Sequence, residues 1–184
     1  MSTEQEEREK YTRIWAHDDY RKNSPGERLV TYFLKQVKWA PGDSLIDIGC
    51  GTGRAGLALS KAGLLVTLFD ITRSAVDPAA SRLPFVQGCL WEGVPTIPRD
   101  WVYCCDVLEH IPTEHVDASL DAIRDVAKRG AFLQIALMPD AWHGETLHLT
   151  VETQDWWVKK LLDRWGEVET MNPEKCRFVA IVKP

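Results

Sequence analysis

No apolar run in these 184 residues approaches the roughly 20 needed to cross a bilayer, so a membrane-spanning chain is not expected. Ser2 to Lys10 are acidic and polar and carry no apolar segment of a secretory signal. The five cysteines contain no C-x-x-C pair, and their odd number suits neither a disulfide framework nor a zinc site. Cys104 and Cys105 are adjacent in a predicted strand and so point to opposite faces. Reduced, mostly buried thiols in a cytoplasmic protein are the expectation. An excess of positive charge is also missing. The formal net charge is −5, which does not favour a nucleic-acid partner, since non-specific affinity comes chiefly from Lys and Arg on phosphates. A local basic patch would escape such a count. There are no internal repeats and no low-complexity segments. The remainder is an ordinary globular composition, 45% hydrophobic and 27% charged. That length and composition predict one domain over residues 1–184, with an arm or lid over 1–23 and a core over 24–184.

What is there centres on Leu45-Ile46-Asp47-Ile48-Gly49-Cys50-Gly51-Thr52-Gly53. Apolar residues around a single acid read as a buried strand, and three alternating glycines then break it. Leu57, Ala58 and Ala62 resume at helical spacing. Strand, glycine turn and helix N-terminus open a doubly wound nucleotide-binding fold. Glycines there weaken packing unless something must approach the backbone closely. Gly51-Thr52-Gly53-Arg54-Ala55-Gly56 also fits the dinucleotide G-x-G-x-x-G pattern, which is weak alone. Asp47 argues against a pyrophosphate, because its carboxylate would repel one at a site meant to offer positive potential. Arg54, where Gly49-x-Gly51 would need its third glycine, argues the same way. A ligand carrying an ammonium and a sulfonium would instead be attracted.

Asp-x-Gly-x-Gly-x-Gly, followed by Asp70 at the end of the next strand, resembles motif I of the class I S-adenosylmethionine (SAM)-dependent methyltransferases. Asp106-Val107-Leu108-Glu109-His110 resembles motif IV, which often reads V-L-E-H in that superfamily. The resemblance runs from about Leu45 to Pro184. It implies an α/β, Rossmann-like three-layer α/β/α sandwich with a seven-stranded, mostly parallel sheet and an antiparallel last strand. It also implies SAM as cofactor, held by Asp47, Gly49, Cys50, Gly51, Gly53, Asp70, Ile71, Cys89, Leu90 and Asp106. Asp70 is placed to accept both ribose hydroxyls. Cys89 departs from the pattern, since the family commonly carries an acid there for the adenine amino group. The Leu90 backbone, with Trp91 or Ile71 packing on the ring, would then serve instead.

In chain order, residues 1–23 read as a charged helical arm bearing Tyr11, Ile14, Trp15 and Tyr20, either packing aromatics on the domain or covering the cofactor. Ser24-Pro25-Gly26-Glu27 is a helix start with a capping box. Leu29, Val30, Phe33, Leu34 and Val37 form its apolar face. Thr72 to Leu83, broken by Pro78, predicts a reduced helix. Thr113 is expected to cap a helix that Gly130 ends, and Phe132 to Met138 to form the fifth strand. Residues 139–151 read as a long loop, Thr153 as the cap of the last helix, and the remainder as a closing hairpin.

The expected activity is methyl transfer from SAM to an unidentified acceptor. With no large substrate domain, a small molecule or one exposed nucleotide or side chain suits residues 1–23 and the 139–151 loop best. A nicotinamide-dependent oxidoreductase and a non-catalytic SAM-binding partner protein are the alternatives. Histidine suits proton removal from an acceptor hydroxyl because its pKa of ~6.5 lies near working pH. His110 and His148 are the catalytic candidates, with His143 weaker; His17 belongs to the arm, and His115 should face solvent. Asp106-x-x-Glu109-His110 also resembles a magnesium site of some RNA and quinone O-methyltransferases, which His143 or His148 would complete. Because V-L-E-H is widespread in metal-free members, no metal ligand is expected.

Overall fold

The computed structural model describes residues 3–22 and 25–184. The Ser24 cap therefore lies outside the described residues. The arm forms α1 (Glu4–Ile14) and α2 (Asp18–Arg21). Thr3 and Glu6 close a capping box at the start of α1, in which each side chain accepts from the other's backbone amide. Then α3 (Pro25–Gln36) turns Leu29, Val30 and Phe33 inward. There follow β1 (Ser44–Ile48), α4 (Arg54–Ala62), β2 (Leu65–Asp70), β3 (Phe85–Gln87), β4 (Arg99–Cys105), α5 (Val116–Val126) and β5 (Ala127–Ala136). A small hairpin of β6 (Ala141–Trp142) and β7 (Glu145–Thr146) precedes α6 (Gln154–Leu162). The closing hairpin is β8 (Glu167–Glu174) and β9 (Arg177–Lys183).

The seven-stranded sheet has the order β3-β2-β1-β4-β5-β9-β8. Strands β1 to β5 are parallel, and β9 runs antiparallel to both its neighbours. This is the Rossmann-like three-layer sandwich that the sequence implies. Against one face pack α3 and α4, where Phe33, Leu59, Tyr103 and Phe132 meet. Against the other pack α5 and α6, with Leu120, Ile123, Trp157 and Leu161. Alternation along β4 sends Cys104 to one layer and Cys105 to the other, as expected. The order reverses between β1 and β4, whose carboxyl ends therefore frame a crevice, the usual ligand position in an open α/β sheet.

Several local expectations are corrected. Gly130, expected to end a helix, lies inside β5 at φ +153°, where a Cβ would meet the Val182 carbonyl oxygen at 2.3 Å. Close approach of β9, not helix termination, explains this glycine. Thr113 opens a short 3-10 turn instead of capping α5, and its hydroxyl pairs with that of Thr150 at 2.8 Å. The 139–151 loop carries the β6–β7 hairpin, whose turn residues His143 and Gly144 both have positive φ, as tight hairpin turns require. Between Thr72 and Leu83 the helix is reduced, as expected, to one 3-10 turn, Arg73–Ala75.

Candidate functional site

The chain leaves β1 through Gly49 (φ +67°) and Gly51 (φ +49°), conformations that a side chain would strain. The amides of Gly49 and Cys50 donate to the Phe69 carbonyl at 2.8 and 3.1 Å, which ties the turn to the end of β2. Beside it the Asp70 carboxylate accepts from the amides of Gly51 at 2.8 Å and Thr72 at 3.1 Å. Asp70 is buried. Its pKa rises to about 6 because burial outweighs the stabilising amides. Asp47 is 3% exposed, and burial pushes its pKa to about 7 against the opposing pull of the Gly56 amide. Its Oδ2 has no hydrogen-bond partner among the described residues.

A cavity of about 330 Å³ opens over these strand ends. Asp47, Gly49, Cys50 and Gly51 form its floor, and Asp70 and Ile71 one side. Cys89 and Leu90 line the wall after β3, and Asp106 that after β4. Gly53 is not part of this lining. It starts α4 at φ +73°, and a Cβ would meet Ala80 at 2.8 Å, so its role is packing. Thr52 and Ala55 reach the cavity in its place. Trp91 also lines it and stacks on His115 with centroids 4.8 Å apart, so His115 is half-buried against that ring instead of facing solvent. Asp106 adopts φ +61°, and its Oδ1 lies 3.6 Å from Arg177 Nε on β9.

The two catalytic candidates separate. His110 lines the cavity, and its Nδ1 meets the Tyr11 hydroxyl at 2.8 Å. Burial lowers its pKa to about 3, with the His148 and Lys10 charges adding to the effect. His148 lies behind it, 4% exposed, with ring centroids 4.7 Å apart and edge-on. Its Nδ1 donates to the Met138 carbonyl at 2.5 Å. Glu109 is fully buried. Its Oε1 accepts from the Ala136 amide at 2.7 Å, while Oε2 has no hydrogen-bond partner among the described residues. Burial and the neighbouring Asp106 charge raise the Glu109 pKa well above the usual carboxylate range. His143 sits in the β6–β7 turn, stacked on His17 at 5.7 Å.

The arm both packs its aromatics and roofs the cavity. Tyr11, Trp15 and Tyr20 all line it, and the Trp15 ring lies over Gly51. Arg8 Nε donates to the Ile71 carbonyl at 3.2 Å and Arg21 pairs with Asp77 at 2.6 Å, which dock the arm on the segment after β2. Arg13 pairs with Glu145 at 3.0 Å, and Tyr20 meets Trp142 edge-on at 5.3 Å, which join it to the β6–β7 hairpin. Tyr11 and Trp15 share a helix face by their spacing of four, the one sequence signal for this contact. Arg177 and Asp140 also reach the cavity, and no motif marks them.

A family model described as a methyltransferase domain matches residues 46–133. Magnesium-protoporphyrin O-methyltransferase of Synechocystis is 32% identical over 121 residues, covering 60% of this chain and 49% of that protein. Ribosomal RNA small subunit methyltransferase G of Alkalilimnicola ehrlichii is 40% identical over 91 residues, covering 42% and 41%. The chain thus spans half or less of these curated relatives. A crystal structure of magnesium protoporphyrin IX methyltransferase from Synechocystis with bound S-adenosylhomocysteine (SAH) superposes with a TM-score of 0.69. It is 23% identical and covers 86% of this chain and 81% of that one.

Proposed function

We propose that the chain is a class I SAM-dependent methyltransferase, that its cavity binds SAM and that the protein methylates a small acceptor. The observation that carries this reading is Asp47, a buried carboxyl at the cavity floor with one oxygen lacking a hydrogen bond. An acid held there at a cost suits a cationic ligand and opposes a pyrophosphate. The remaining residues fit the same ligand. Asp70 orders the glycine turn and keeps lone pairs for a ribose diol. The positive φ at Gly49 and Gly51 lets backbone amides face the cavity. Ile71 and Leu90 offer an apolar slot for a purine. The volume of about 330 Å³ lies in the range of small-molecule sites.

SAM supplies an electrophilic methyl on a sulfonium, which an acceptor displaces in line. The contribution of the chain is to hold both partners in register and to exclude water. Asp106 and His110, after β4, are assigned to the acceptor side, and His148 supports His110 from behind. Tyr11, Trp15 and Tyr20 close the site from above. The magnesium-protoporphyrin relative acts on a small molecule by its name, and a cavity roofed by a short arm suits an acceptor of that class.

Calorimetry and thermal melting test the reading. SAH at 100 times its dissociation constant should add about 2.7 kcal/mol of stability, and NAD(H) none. Stabilisation by NAD alone would replace the methyltransferase with an oxidoreductase. Transfer of a labelled methyl from SAM to a quinone, porphyrin or nucleoside acceptor separates an enzyme from a binding protein.

A further inference from the structure

The geometry points to a site for one divalent transition-metal cation, held by Glu109, His110 and His148 beside the acceptor end of the cavity. These residues come from two segments, the turn after β4 and the stretch between β7 and α6. One ligand-capable atom from each lies within 4.8 Å of the other two, and among the described residues no other such group occurs. From spacing alone His143 and His148 were equivalent partners. The hairpin turn carries His143 away to His17 and leaves His148 beside His110.

Two further observations point to a cation. Glu109 is fully buried with Oε1 fixed on the Ala136 amide, while Oε2 has no hydrogen-bond partner among the described residues and the neighbouring side chain is a second carboxyl, Asp106. A buried carboxylate oxygen is kept in that state at a cost unless positive charge meets it. His148 donates from Nδ1 to the Met138 carbonyl, an atom that can only accept, so the lone pair resides on Nε2. Metal-binding imidazoles are commonly oriented in this way by a carbonyl on the far nitrogen. Near Nε2 lies the Asp140 carboxylate, with Oδ2 at 4.0 Å, which makes the surroundings more favourable to a cation. Tyr11 bears on the same His110 ring, so the arm adjoins the site.

Two imidazoles and one carboxylate favour Zn²⁺, Fe²⁺ or Co²⁺ over Mg²⁺, which prefers an all-oxygen shell. A cation there would bind and polarise an oxygen of the acceptor. His110 and His148 would then be ligands, not proton acceptors. The use of the cation rests on the methyltransferase reading, but its binding does not.

Protein stripped with chelator and titrated with Co²⁺ should take up one equivalent, seen as visible ligand-field absorption, and Zn²⁺ should displace it. His148→Ala and Glu109→Gln should each weaken Co²⁺ binding at least about tenfold. His143→Ala, which removes the competing stacked pair, should leave Co²⁺ binding unchanged. SAH calorimetry on the same preparations shows that the variants are folded and reports on the donor site separately. No Co²⁺ or Zn²⁺ uptake by the unaltered protein, or uptake that survives His148→Ala, overturns the proposal. Uptake lost in a His148→Ala variant that keeps the circular dichroism and the cooperative melting of the parent supports it, even where neither protein binds SAH.

Discussion

A carboxyl group with a folded pKa of about 7, like that of Asp47, ties stability to pH with an unusual sign. Its unfolded value is about 4, so the folded state holds the proton more tightly. The contribution is complete below about pH 4 and is lost as pH rises through about 7. The apo protein should therefore melt lower at about pH 8 than at about pH 6, and Asp47→Asn should flatten that slope. The variant should also be the more stable apo protein at about pH 8, by an amount on the order of 1–3 kcal/mol. Its affinity for SAH should fall, because the ammonium loses its counter-charge. Melting curves with and without SAH at both pH values check this, and a variant that binds SAH as well as the parent would remove Asp47 from the site. Asp70 behaves differently, since its carboxylate is committed to the Gly51 and Thr72 amides. Asp70→Ala should weaken SAH binding and also cost about 1–3 kcal/mol of stability, from two amides left without their acceptor. Its place at a strand end suggests that the fold would not notice; the two hydrogen bonds say otherwise.

At the scale of elements, α1 and α2 meet the β6–β7 hairpin across the cavity mouth, through Arg13 with Glu145 and Tyr20 with Trp142. Few of their side chains are core residues; Ile14 is buried, while Glu7 and Lys10 pair with each other. Such a segment opens at lower free energy than the sheet it covers. Trypsin should thus cut at Arg13, Arg21 or Lys22 before any site in the sheet, and saturating SAH should slow that cut several-fold. Equal cutting rates with and without SAH would show that the arm does not move with ligand entry. The arm also marks the limit of what the sequence discloses. The glycine turn, Asp47, Asp70 and the βα alternation are local patterns, and they place the sheet and the cavity floor. The roof is not local. Tyr11 reaches His110 across 99 positions, and only the fold makes them neighbours. Gly53 was misleading for a related reason, because its positive φ serves the Ala80 and Leu68 contact and not the cavity. Arg177 carries no sequence signal, because its partner Asp106 follows β4, a strand that is not adjacent to β9.

For the whole molecule, two apolar layers on one sheet bury four of the five cysteines, and Cys176, in the β8–β9 turn, is exposed. Burial raises the Cys50, Cys104 and Cys105 thiols well above their usual range and that of Cys89 to about 12. A disulfide reagent should therefore titrate one thiol in the native protein and five in denaturant. Rapid modification of a second thiol would mean that the cavity opens widely, since Cys50 and Cys89 line it. The position of β9 has a consequence for synthesis. It lies inside the sheet between β5 and β8 although it follows both in the chain. A nascent polypeptide that has emerged only as far as β8 cannot dock that strand, because the strand that joins it to β5 does not yet exist. Until Arg177–Lys183 emerge, Phe132, Leu133 and Ile135 sit on a strand with one open edge, the kind of edge that other chains pair with. Arg177 arrives at the start of the same strand and completes the cavity wall beside Asp106. The unfinished chain is thus at once the form most in need of a chaperone and one whose ligand pocket is still incomplete.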